Sequence, residues 1–303
     1  MKITLGVINL ALVSLPGALG WGTLGHMTTA YLASSLVSNT TEAHFQQVLQ
    51  SQQDDYLAHV ASWADSVRYT KWGAFTKTFH FIDAHDDPPA QCNVDLERDC
   101  KQTGCVINAL ANYTQQSLDP GLSALLRAQA AKFVIHFVGD LHQPMHNEGV
   151  AQGGNGIHVL WEGKSFNLHH VWDSSIAEKW IGGLRGSPQN LAKKWAEDLA
   201  GEISKGKYAS EKETWLKDMN INDANGTALA WSREANALVC TYVLPQGPKA
   251  IQDQELCGDY YSRAGPVVER QIARAGYRMA AWLDSIADVL SKYSNERQMS
   301  EEL

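Results

Sequence analysis

Apolar residues recur three and four positions apart along most of the chain, the spacing of a helix that buries one face. The longest such stretch runs from Val267 to Leu290, and shorter ones predict helices at 27–36, 42–50 and 231–243. Residues 125–139, LLRAQAAKFVIHFVG, are apolar on nearly every side, as expected for a helix inside a large core. The pattern therefore predicts an all-α, mainly helical fold.

One segment follows a different pattern. Residues 156–168, GIHVLWEGKSFNL, alternate between apolar and polar positions, with Glu162-Gly163 near the middle. This alternation around a Gly-containing pair predicts a small β-hairpin. No Pro/Ser-rich linker, low-complexity tract or internal repeat divides the remaining chain. We therefore predict a single domain over residues 21–290 and a polar C-terminal tail over residues 291–303.

The first 20 residues have the features of a secretory signal peptide. Lys2 gives a positive start, an apolar run follows, Pro16 interrupts it, and Gly20 stands where a signal peptidase cuts. A retained membrane anchor is the alternative, but the run is shorter than the roughly 20 apolar residues that span a bilayer. The sequence therefore predicts a secreted, extracellular protein that begins at Trp21, without a membrane segment. Three glycosylation sequons fit the same route: Asn39, Asn112 and Asn225.

Five cysteines in an exported chain predict disulfides with one cysteine left over. Cys100 and Cys105 enclose a short loop, CKQTGC, and are easy to pair. Cys92 and Cys240 then close a long loop, which leaves Cys257 as the odd cysteine. A zinc–thiolate site is the alternative, but no two cysteines have the CxxC spacing typical of one.

The net charge of the chain limits the classes of ligand that it is expected to bind. The formal net charge of −8 becomes −9 when the leader is removed, because Lys2 is its one charged residue. This balance argues against the broad basic surface of a duplex-binding protein. It leaves room for an anionic substrate if metal ions supply positive charge locally.

Histidines and aspartates fall at spacings that suit a metal site. His136 and Asp140 lie four apart, and so do His169 and Asp173, so each pair projects from one helix face. Further candidates are Asp65, His80 and His146. Each fragment alone is weak evidence, since a histidine on an apolar helix is more often a core residue. An unpaired Asp140 among apolar neighbours would be costly, however, and a metal would supply the missing cation.

With these fragments in place, the sequence resembles a known family. The stretches that carry the resemblance are WGTLGH, YLAHVASWADSVRY, HFIDAHDDPP, CNVDLERDC, NYTQ, HFVGDLHQPMH, GGNGI, NLHHVWD, ANALVC and IARAGYRMAAWL. They are similar to those of the secreted fungal zinc-dependent single-strand-specific nucleases that are also 3′-nucleotidases, the S1/P1 type. The resemblance covers nearly all of the chain after the leader and implies a single zinc nuclease domain with the mostly helical fold shared with bacterial zinc phospholipase C.

The resemblance implies three Zn²⁺ ions. One is held by Asp65, His80, His136 and Asp140. A second is held by His26, by Asp140 as a bridge, and by the free amine and carbonyl oxygen of Trp21 once the leader is cut. The third is held by His146, His169 and Asp173. The remaining histidines are interpreted as structural or surface residues: His44, His59, His85, His142, His158 and His170.

The implied activity is endonucleolytic cleavage of single-stranded DNA and RNA to 5′-phosphorylated nucleotides, with 3′-nucleotidase activity. A hydroxide bridging the zinc pair attacks phosphorus, the third zinc stabilises the O3′ leaving group, and Asp65 and Arg68 are the catalytic side chains. Phe81 stacks on an unpaired base, while Asp83 and Asn155 bond its edge. The implied partners are single-stranded nucleic acids and 3′-nucleotides, bound by a monomer without a protein partner.

Two alternatives remain open at this point. The shared zinc fold permits a phospholipase C-like phosphodiesterase, and the ligands alone permit a secreted zinc-binding or lectin-like protein without turnover. The base pocket favours the nuclease, and Arg68 beside Asp65 favours an enzyme. A second nucleoside pocket, built from tyrosines in some members of the family, falls at Lys164 and Ser175 here. That departure argues against its presence.

Overall fold

The structure, a computed structural model, describes residues 21–301. The predicted leader, residues 1–20, lies outside the described residues. The α-helices are α1 (Thr23–Ser34), α2 (Asn39–Leu49), α3 (Trp63–Val67), α4 (Leu96–Asp99), α5 (Val106–Ser117), α6 (Ala124–Leu141), α7 (Leu168–His170), α8 (Ile176–Trp180), α9 (Pro188–Ser204), α10 (Lys212–Trp215), α11 (Ala224–Leu238), α12 (Pro248–Ile251) and α13 (Asp259–Glu301).

Shorter helical turns and one hairpin connect these helices. The 3₁₀ turns are Ala58–Val60, Ala74–His80, Pro144–Asn147 and Ile221–Asp223, and the π-helical turns are Val171–Ser175 and Val239–Val243. Strands β1 (His158–Trp161) and β2 (Lys164–Asn167) pair antiparallel, with Trp161 opposite Lys164. Glu162 and Gly163 form the turn with φ of 51° and 72°, the left-handed backbone that a two-residue hairpin loop needs. The mainly helical fold and the hairpin are therefore confirmed.

Helix boundaries differ from the predicted ones. The predicted helix at 267–290 is part of α13, which begins at Asp259 and continues to Glu301. The predicted helix at 27–36 begins earlier, at Thr23, and the one at 231–243 divides into α11 and a π-helical turn. Apolar periodicity misses the polar first and last turns of α13, whereas the first turn of α1 is buried but contains Gly25 and His26, which interrupt an apolar pattern.

Helix α6 lies at the centre of the molecule. From Ala130 to Leu141 its side chains are buried, apart from the half-buried Lys132. Helix α5 packs on one side of α6 within a first hydrophobic core, and α1 packs against α9 and α13 in a second. A Cβ on Gly276 would lie 2.6 Å from Leu32 Cδ2, so this glycine lets α13 and α1 pack closely. The two cores meet along α1, which contributes residues to both, and α1 in turn contacts α6.

Two disulfides fasten the loop over residues 83–105. Cys92 bonds Cys240 with their Cα atoms 5.9 Å apart, and Cys100 bonds Cys105 across 5.3 Å. Both predicted pairs are present, and Cys257 is free. Within the described residues, no helix is both long and apolar enough to cross a membrane. The sequon side chains of Asn39, Asn112 and Asn225 are exposed.

Candidate metal centre and adjoining cavity

Helix α6 presents a histidine and an aspartate to one point. His136 and Asp140 are one turn apart and fully buried, with His136 Nε2 3.1 Å from Asp140 Oδ2. This is the one-face geometry that the four-residue spacing predicts. His80, at the end of its 3₁₀ turn, adds Nδ1 at 3.0 Å from His136 Nε2 and 3.1 Å from Asp140 Oδ2.

Asp65 of α3 completes this group. Its Oδ1 lies 3.7 Å from His80 Nδ1 and 3.7 Å from His136 Nε2. Ligands of a tetrahedral zinc ion with bonds of about 2.0–2.2 Å lie about 3.3–3.6 Å apart. The separations given above, 3.0–3.7 Å, lie on both sides of this range, so the four side chains are close enough together to share one ion.

His26 of α1 joins from the opposite side. Its Nε2 lies 3.3 Å from Asp140 Oδ1, and its ring stacks on His136 with centroids 4.0 Å apart. Gly139 makes room for it, since a Cβ at that position would lie 2.8 Å from His26 Nδ1. We call the five residues the inner cluster: His26, Asp65, His80, His136 and Asp140.

Trp21 is buried beside the inner cluster. It packs on Gly25, where a Cβ would lie 2.8 Å from Trp21 Cβ. The next residue, Gly22, donates its N–H to the carbonyl of Asp173 at 2.8 Å. The start of the described chain is thus fixed between His26 and the second group of ligands.

The second group combines three side chains, which we call the rim cluster: His146, His169 and Asp173. His169 Nε2 lies 3.2 Å from Asp173 Oδ2, and His146 Nε2 lies 3.7 Å from Asp173 Oδ1. Their potential ligand atoms all lie within 4.8 Å of one another. His146 follows α6 on the 3₁₀ turn, and Asp173 lies one turn after His169.

Hydrogen bonds orient the imidazoles. His136 Nδ1 donates to the Ala61 carbonyl at 2.7 Å, His146 Nδ1 donates to the His80 carbonyl at 2.7 Å, and His169 Nδ1 donates to the Gly153 carbonyl at 2.5 Å. With Nδ1 protonated, the lone pair of Nε2 points into the cluster in each case. Metal-binding histidines in proteins are held in this way.

Several buried atoms in the two clusters have no hydrogen-bond partner among the described residues. They include His26 Nε2, Asp65 Oδ1, Asp140 Oδ1, His146 Nε2 and His169 Nε2. A buried polar group without a partner costs free energy, and native proteins avoid it. Cations bound between these atoms would satisfy all of them, so the residues present fit divalent metal ions.

The electrostatics agree with cation binding. Burial opposes ionisation of Asp140, but His136 and His146 hold the pKa of its carboxyl well below the usual range. Burial likewise opposes protonation of His136, yet Asp140 and Asp65 raise its pKa to about 9. Burial lowers the pKa of His146 to about 3, so that imidazole is neutral at physiological pH. The ionised Asp140 and the neutral His146 are ligands of the kind that zinc prefers, whereas binding at His136 has to displace its proton.

A cavity of about 610 Å³ opens beside the rim cluster. His146 and His169 line it, and so do all three predicted base-binding residues, which are Phe81, Asp83 and Asn155. Gly153, at φ +63°, brings the backbone to the cavity wall, where a Cβ would lie 3.3 Å from His169 Nδ1. The cavity therefore places a ring, a carboxylate and an amide within one space next to metal ligands.

Arg68 connects the cavity to the inner cluster. It lines the cavity, although only 5 % of its surface is exposed, and its Nη2 lies 3.5 Å from Asp65 Oδ1. Its Nε and Nη2 have no hydrogen-bond partner among the described residues. A buried guanidinium with free donors beside a metal centre suits a bound anion.

Several side chains at the site were not singled out from the sequence. Gln143 is fully buried and donates its amide N–H to Asp173 Oδ1. Lys101 pairs with Asp83, with Nζ 3.1 Å from Oδ2. Glu148 lines the cavity, and burial raises the pKa of its carboxyl to about 8. Gln143 lies inside the motif HQPMH, but nothing in the sequence indicates the contacts of the other two.

The predicted non-ligand histidines lie outside both clusters. His142 is fully buried, donates Nδ1–H to the Val138 carbonyl at 2.7 Å, and accepts from Arg278 at 3.0 Å. His85 is on the cavity wall, hydrogen-bonded to Asp99 at 3.1 Å. The others are His44, His59, His158 and His170. Lys164 and Ser175 line a separate cavity of about 460 Å³.

Comparison with known proteins supports the same interpretation. The family described as S1/P1 Nuclease matches residues 21–288. The chain is 46% identical over 269 residues to Nuclease S1 of Aspergillus oryzae (strain ATCC 42149 / RIB 40), covering 88% of this chain and 92% of the relative. It is 45% identical over 266 residues to Nuclease P1 of Penicillium citrinum, covering 88% and 97%. Endonuclease 4 of Arabidopsis thaliana is 31% identical over 294 residues, covering 92% and 93%.

Proposed function

Because the chain belongs to the S1/P1 nuclease family, we propose that it is an endonuclease that cleaves single-stranded DNA and RNA to 5′-phosphorylated products and removes phosphate from 3′-nucleotides. One observation supports this proposal most directly. Arg68, Phe81 and Asp83 line a cavity that two residues of the rim cluster also line, and Arg68 contacts Asp65 of the inner cluster. Metal ligands, an anion-binding guanidinium and a base-sized pocket are the parts that such a reaction needs.

Three Zn²⁺ ions fit the available ligands. One would be held by Asp65, His80, His136 and Asp140, a second by Trp21, His26 and Asp140, and a third by His146, His169 and Asp173. Bound there, the ions would supply positive charge for a phosphodiester, an activated water and stabilisation of the departing oxygen. Their charge also offsets the net charge of −8, so a polyanion can approach without a basic surface.

The chain's own residues bind and orient the substrate. Arg68 donates to the phosphoryl oxygens, and Asp65 holds the guanidinium in place through their contact at 3.5 Å. Phe81 stacks on the base, while Asp83 and Asn155 bond its edge. Only an unpaired base can swing into such a pocket, and stacking contributes about 1–3 kcal/mol per base. Preference for single strands follows from this requirement.

The second zinc site depends on processing of the chain. Cleavage after Gly20 would free the amine of Trp21, and that amine and the Trp21 carbonyl would complete the ligands beside His26. The burial of Trp21 and the bond from Gly22 to Asp173 support this position. A secreted protein with one added residue before Trp21 should lose one zinc ion by elemental analysis. Unchanged zinc content in that protein would contradict the proposed ligand.

Secretion, glycosylation and a monomeric state belong to the same proposal. Two disulfides and three exposed sequon asparagines support the extracellular route. Mass analysis of the protein collected from culture medium should give Trp21 as its first residue and glycan on at least one sequon. Sedimentation of the same material should give the mass of one chain.

One experiment separates the nuclease from its alternatives. The protein is assayed on denatured DNA, duplex DNA and phosphatidylcholine, before and after removal of metal with a chelator. We expect 5′-phosphorylated products from denatured DNA, much slower cleavage of the duplex, and recovery of the activity when zinc is restored. Cleavage of the lipid alone would assign a phospholipase, and bound zinc without any cleavage would assign a binding protein.

A further inference from the structure

Three large aromatic side chains lie exposed just after Arg68. Tyr69 is 62% exposed, Trp72 is 53% exposed and Phe75 is 61% exposed. We call these three residues the aromatic ridge. The three exposed rings fall within seven residues of sequence, and exposed apolar surface concentrated in one segment is typical of an interaction site.

The backbone beneath the aromatic ridge is held in place. Thr70 Oγ1 donates to the Val67 carbonyl at 2.7 Å and accepts from Gly73 N–H at 3.0 Å. Thr76 is fully buried and donates to the Gly73 carbonyl at 2.8 Å. Gly73 allows this packing, because a Cβ there would lie 2.3 Å from Val67 Cγ1. The three rings are therefore carried by an ordered segment and not by a frayed loop.

The charge around the aromatic ridge is positive. Residues 66–80, SVRYTKWGAFTKTFH, contain three cations and no carboxylate, although the whole chain carries −8. Lys71 and Lys77 are exposed. Lys132 adds a fourth cation, with its Nζ 5.0 Å from the ring centroid of Trp63, which in turn lies 6.0 Å from the ring of Trp72. This local reversal of charge favours an anionic partner.

The aromatic ridge adjoins the cavity wall at Arg68, and its other end is linked to the loop that carries Lys101. At one end, the guanidinium carbon of Arg68, which lines the cavity, lies 5.2 Å from the ring centroid of Tyr69. At the other, Phe75 contacts Phe79 with centroids 5.7 Å apart. Thr78, on the same 3₁₀ turn, donates its hydroxyl to the Thr103 carbonyl at 3.0 Å. Thr103 belongs to the loop between Cys100 and Cys105, and Lys101 of that loop lines the cavity.

We propose that the aromatic ridge binds further unpaired nucleotides of the same strand, outside the cavity where the strand is cut. Bases stack on Trp72 and Phe75, and Lys71 and Lys77 contact the phosphates between them. Aromatic rings interleaved with cations are the usual surface for single-stranded nucleic acid without sequence preference. The proposal rests on the proposed function and extends it from one nucleotide to a longer stretch of strand.

The test compares substrates of two lengths. KM is measured for a dinucleotide, which is too short to reach beyond the cavity, and for a single-stranded 20-mer, with wild type, the double variant Trp72→Ala/Phe75→Ala and the control Tyr242→Ala. Tyr242 is also exposed, at 42%, but lies outside residues 66–80. We expect the double variant to raise KM for the 20-mer about tenfold or more and to leave the dinucleotide unchanged. The control should change neither value.

Salt dependence provides a second measurement. In the double variant Lys71→Gln/Lys77→Gln, the slope of log KM for the 20-mer against log salt concentration should fall by about 0.7 for each phosphate contact removed. The slope for the dinucleotide should not change. A slope for the 20-mer equal to that of wild type would contradict the proposed contacts of Lys71 and Lys77 with the phosphates.

The outcomes separate this proposal from the proposed function. Equal KM ratios for the two lengths in wild type and in Trp72→Ala/Phe75→Ala would overturn the binding role of the aromatic ridge. If that variant instead abolished self-association in sedimentation without changing the ratio, the surface would belong to a second copy of the chain, which also overturns it. Failure of wild type to cleave either the 20-mer or the dinucleotide would overturn the proposed function.

Discussion

The inner cluster and the rim cluster offer the same kinds of ligand side chain, histidine and aspartate, but are built differently. The inner cluster is organised by α6, with His136 and Asp140 on one face and the other ligands packed against it. The rim cluster takes His146 from a 3₁₀ turn and Asp173 from a π-helical turn. Four of the five inner ligands lie on α-helices, whereas two of the three rim ligands lie on 3₁₀ or π-helical turns.

The difference indicates a division of labour. Ligands of the inner cluster face other buried side chains, so they are held by core packing. Two residues of the rim cluster, His146 and His169, instead line the cavity. Hydrogen bonds from residues that are not ligands orient the rim cluster: the Gln143 amide donates to Asp173, and the Gly153 carbonyl accepts from His169. The rim cluster thus has a buried side-chain support, Gln143, from a residue that is not a ligand.

The largest expected effect comes from removing the residue that the inner cluster shares between two ions. Asp140→Asn should lose two of the three proposed zinc ions together, and activity on denatured DNA should fall by a factor on the order of 10³ or more, because each ion contributes several kcal/mol to catalysis. Elemental analysis and a nuclease assay measure both changes. Asp173→Asn is the matched variant and should lose one ion. Equal losses in the two variants would refute the sharing.

The rim cluster should be the more sensitive to a supporting residue. Gln143→Met keeps the side-chain volume but removes the donor to Asp173, and we expect zinc affinity at the rim cluster to fall about 10–100-fold. Competition with a chromophoric chelator measures this affinity. The ions of the inner cluster serve as the internal control and should be retained at wild-type strength. Loss of all ions at one chelator concentration would argue against separate support.

The position of His26 in the inner cluster, by contrast, should depend on the close packing of α1 against α6. Gly139→Ala places a Cβ 2.8 Å from His26 Nδ1, whose ring is fixed by stacking on His136, so overpacking should destabilise the protein by about 1–3 kcal/mol. Gly201→Ala on α9 is the control, since a Cβ there meets nothing within 4 Å and should stabilise by about 0.5–1 kcal/mol. Urea unfolding measures both. A stabilised Gly139→Ala protein would show that His26 has room to move.

The smallest expected effect is a pH dependence of the stability that Asp99 contributes. Asp99 is hydrogen-bonded to His85 of the cavity wall. Asp99 accepts backbone N–H groups from His85 and Asp95 at 3.0 and 2.9 Å, and burial opposes its ionisation. The bond from Arg98 at 2.7 Å and these acceptor bonds nevertheless lower its pKa. A lowered folded pKa gives stability that is present above the unfolded pKa of about 3.9 and is lost as the pH falls through the folded pKa.

Wild type should therefore exceed Asp99→Asn in stability at pH 5 to 6, and the difference should shrink as the pH falls below about 4. The urea midpoints of the two proteins across this pH range measure the difference. Metal-free protein is used so that loss of metal at low pH does not add to the effect of Asp99. A difference that stays constant with pH would mean that Asp99 acts only through packing.

The sequence predicted the helical content and the two four-residue ligand pairs because both follow from local periodicity. His136 with Asp140, and His169 with Asp173, need only one turn of helix to come together. The hairpin was equally local, since Glu162-Gly163 determines its turn. Helix ends were predicted less well, because polar terminal turns have no apolar period.

The aromatic ridge shows where local patterns end. The residues of YTKWGAF are readable as aromatic and basic, but only the folded chain decides that Tyr69, Trp72 and Phe75 face water. The same holds for Lys101, whose contact with Asp83 joins two loop residues that no periodicity relates. Exposure and long-range contact are properties of the packed molecule.

The sequence by itself determined which side chains could act as ligands, which of them share a turn of helix, and which family the chain resembles. Only the tertiary structure decided that α1, α3, α6 and the 3₁₀ turn ending at His80 bring five ligands together, and that the cavity lies beside the rim cluster. The physical reason is that spacing along a helix is set by backbone geometry, whereas convergence of distant segments is set by the packing of the two cores, one of which contains α6 and both of which include α1.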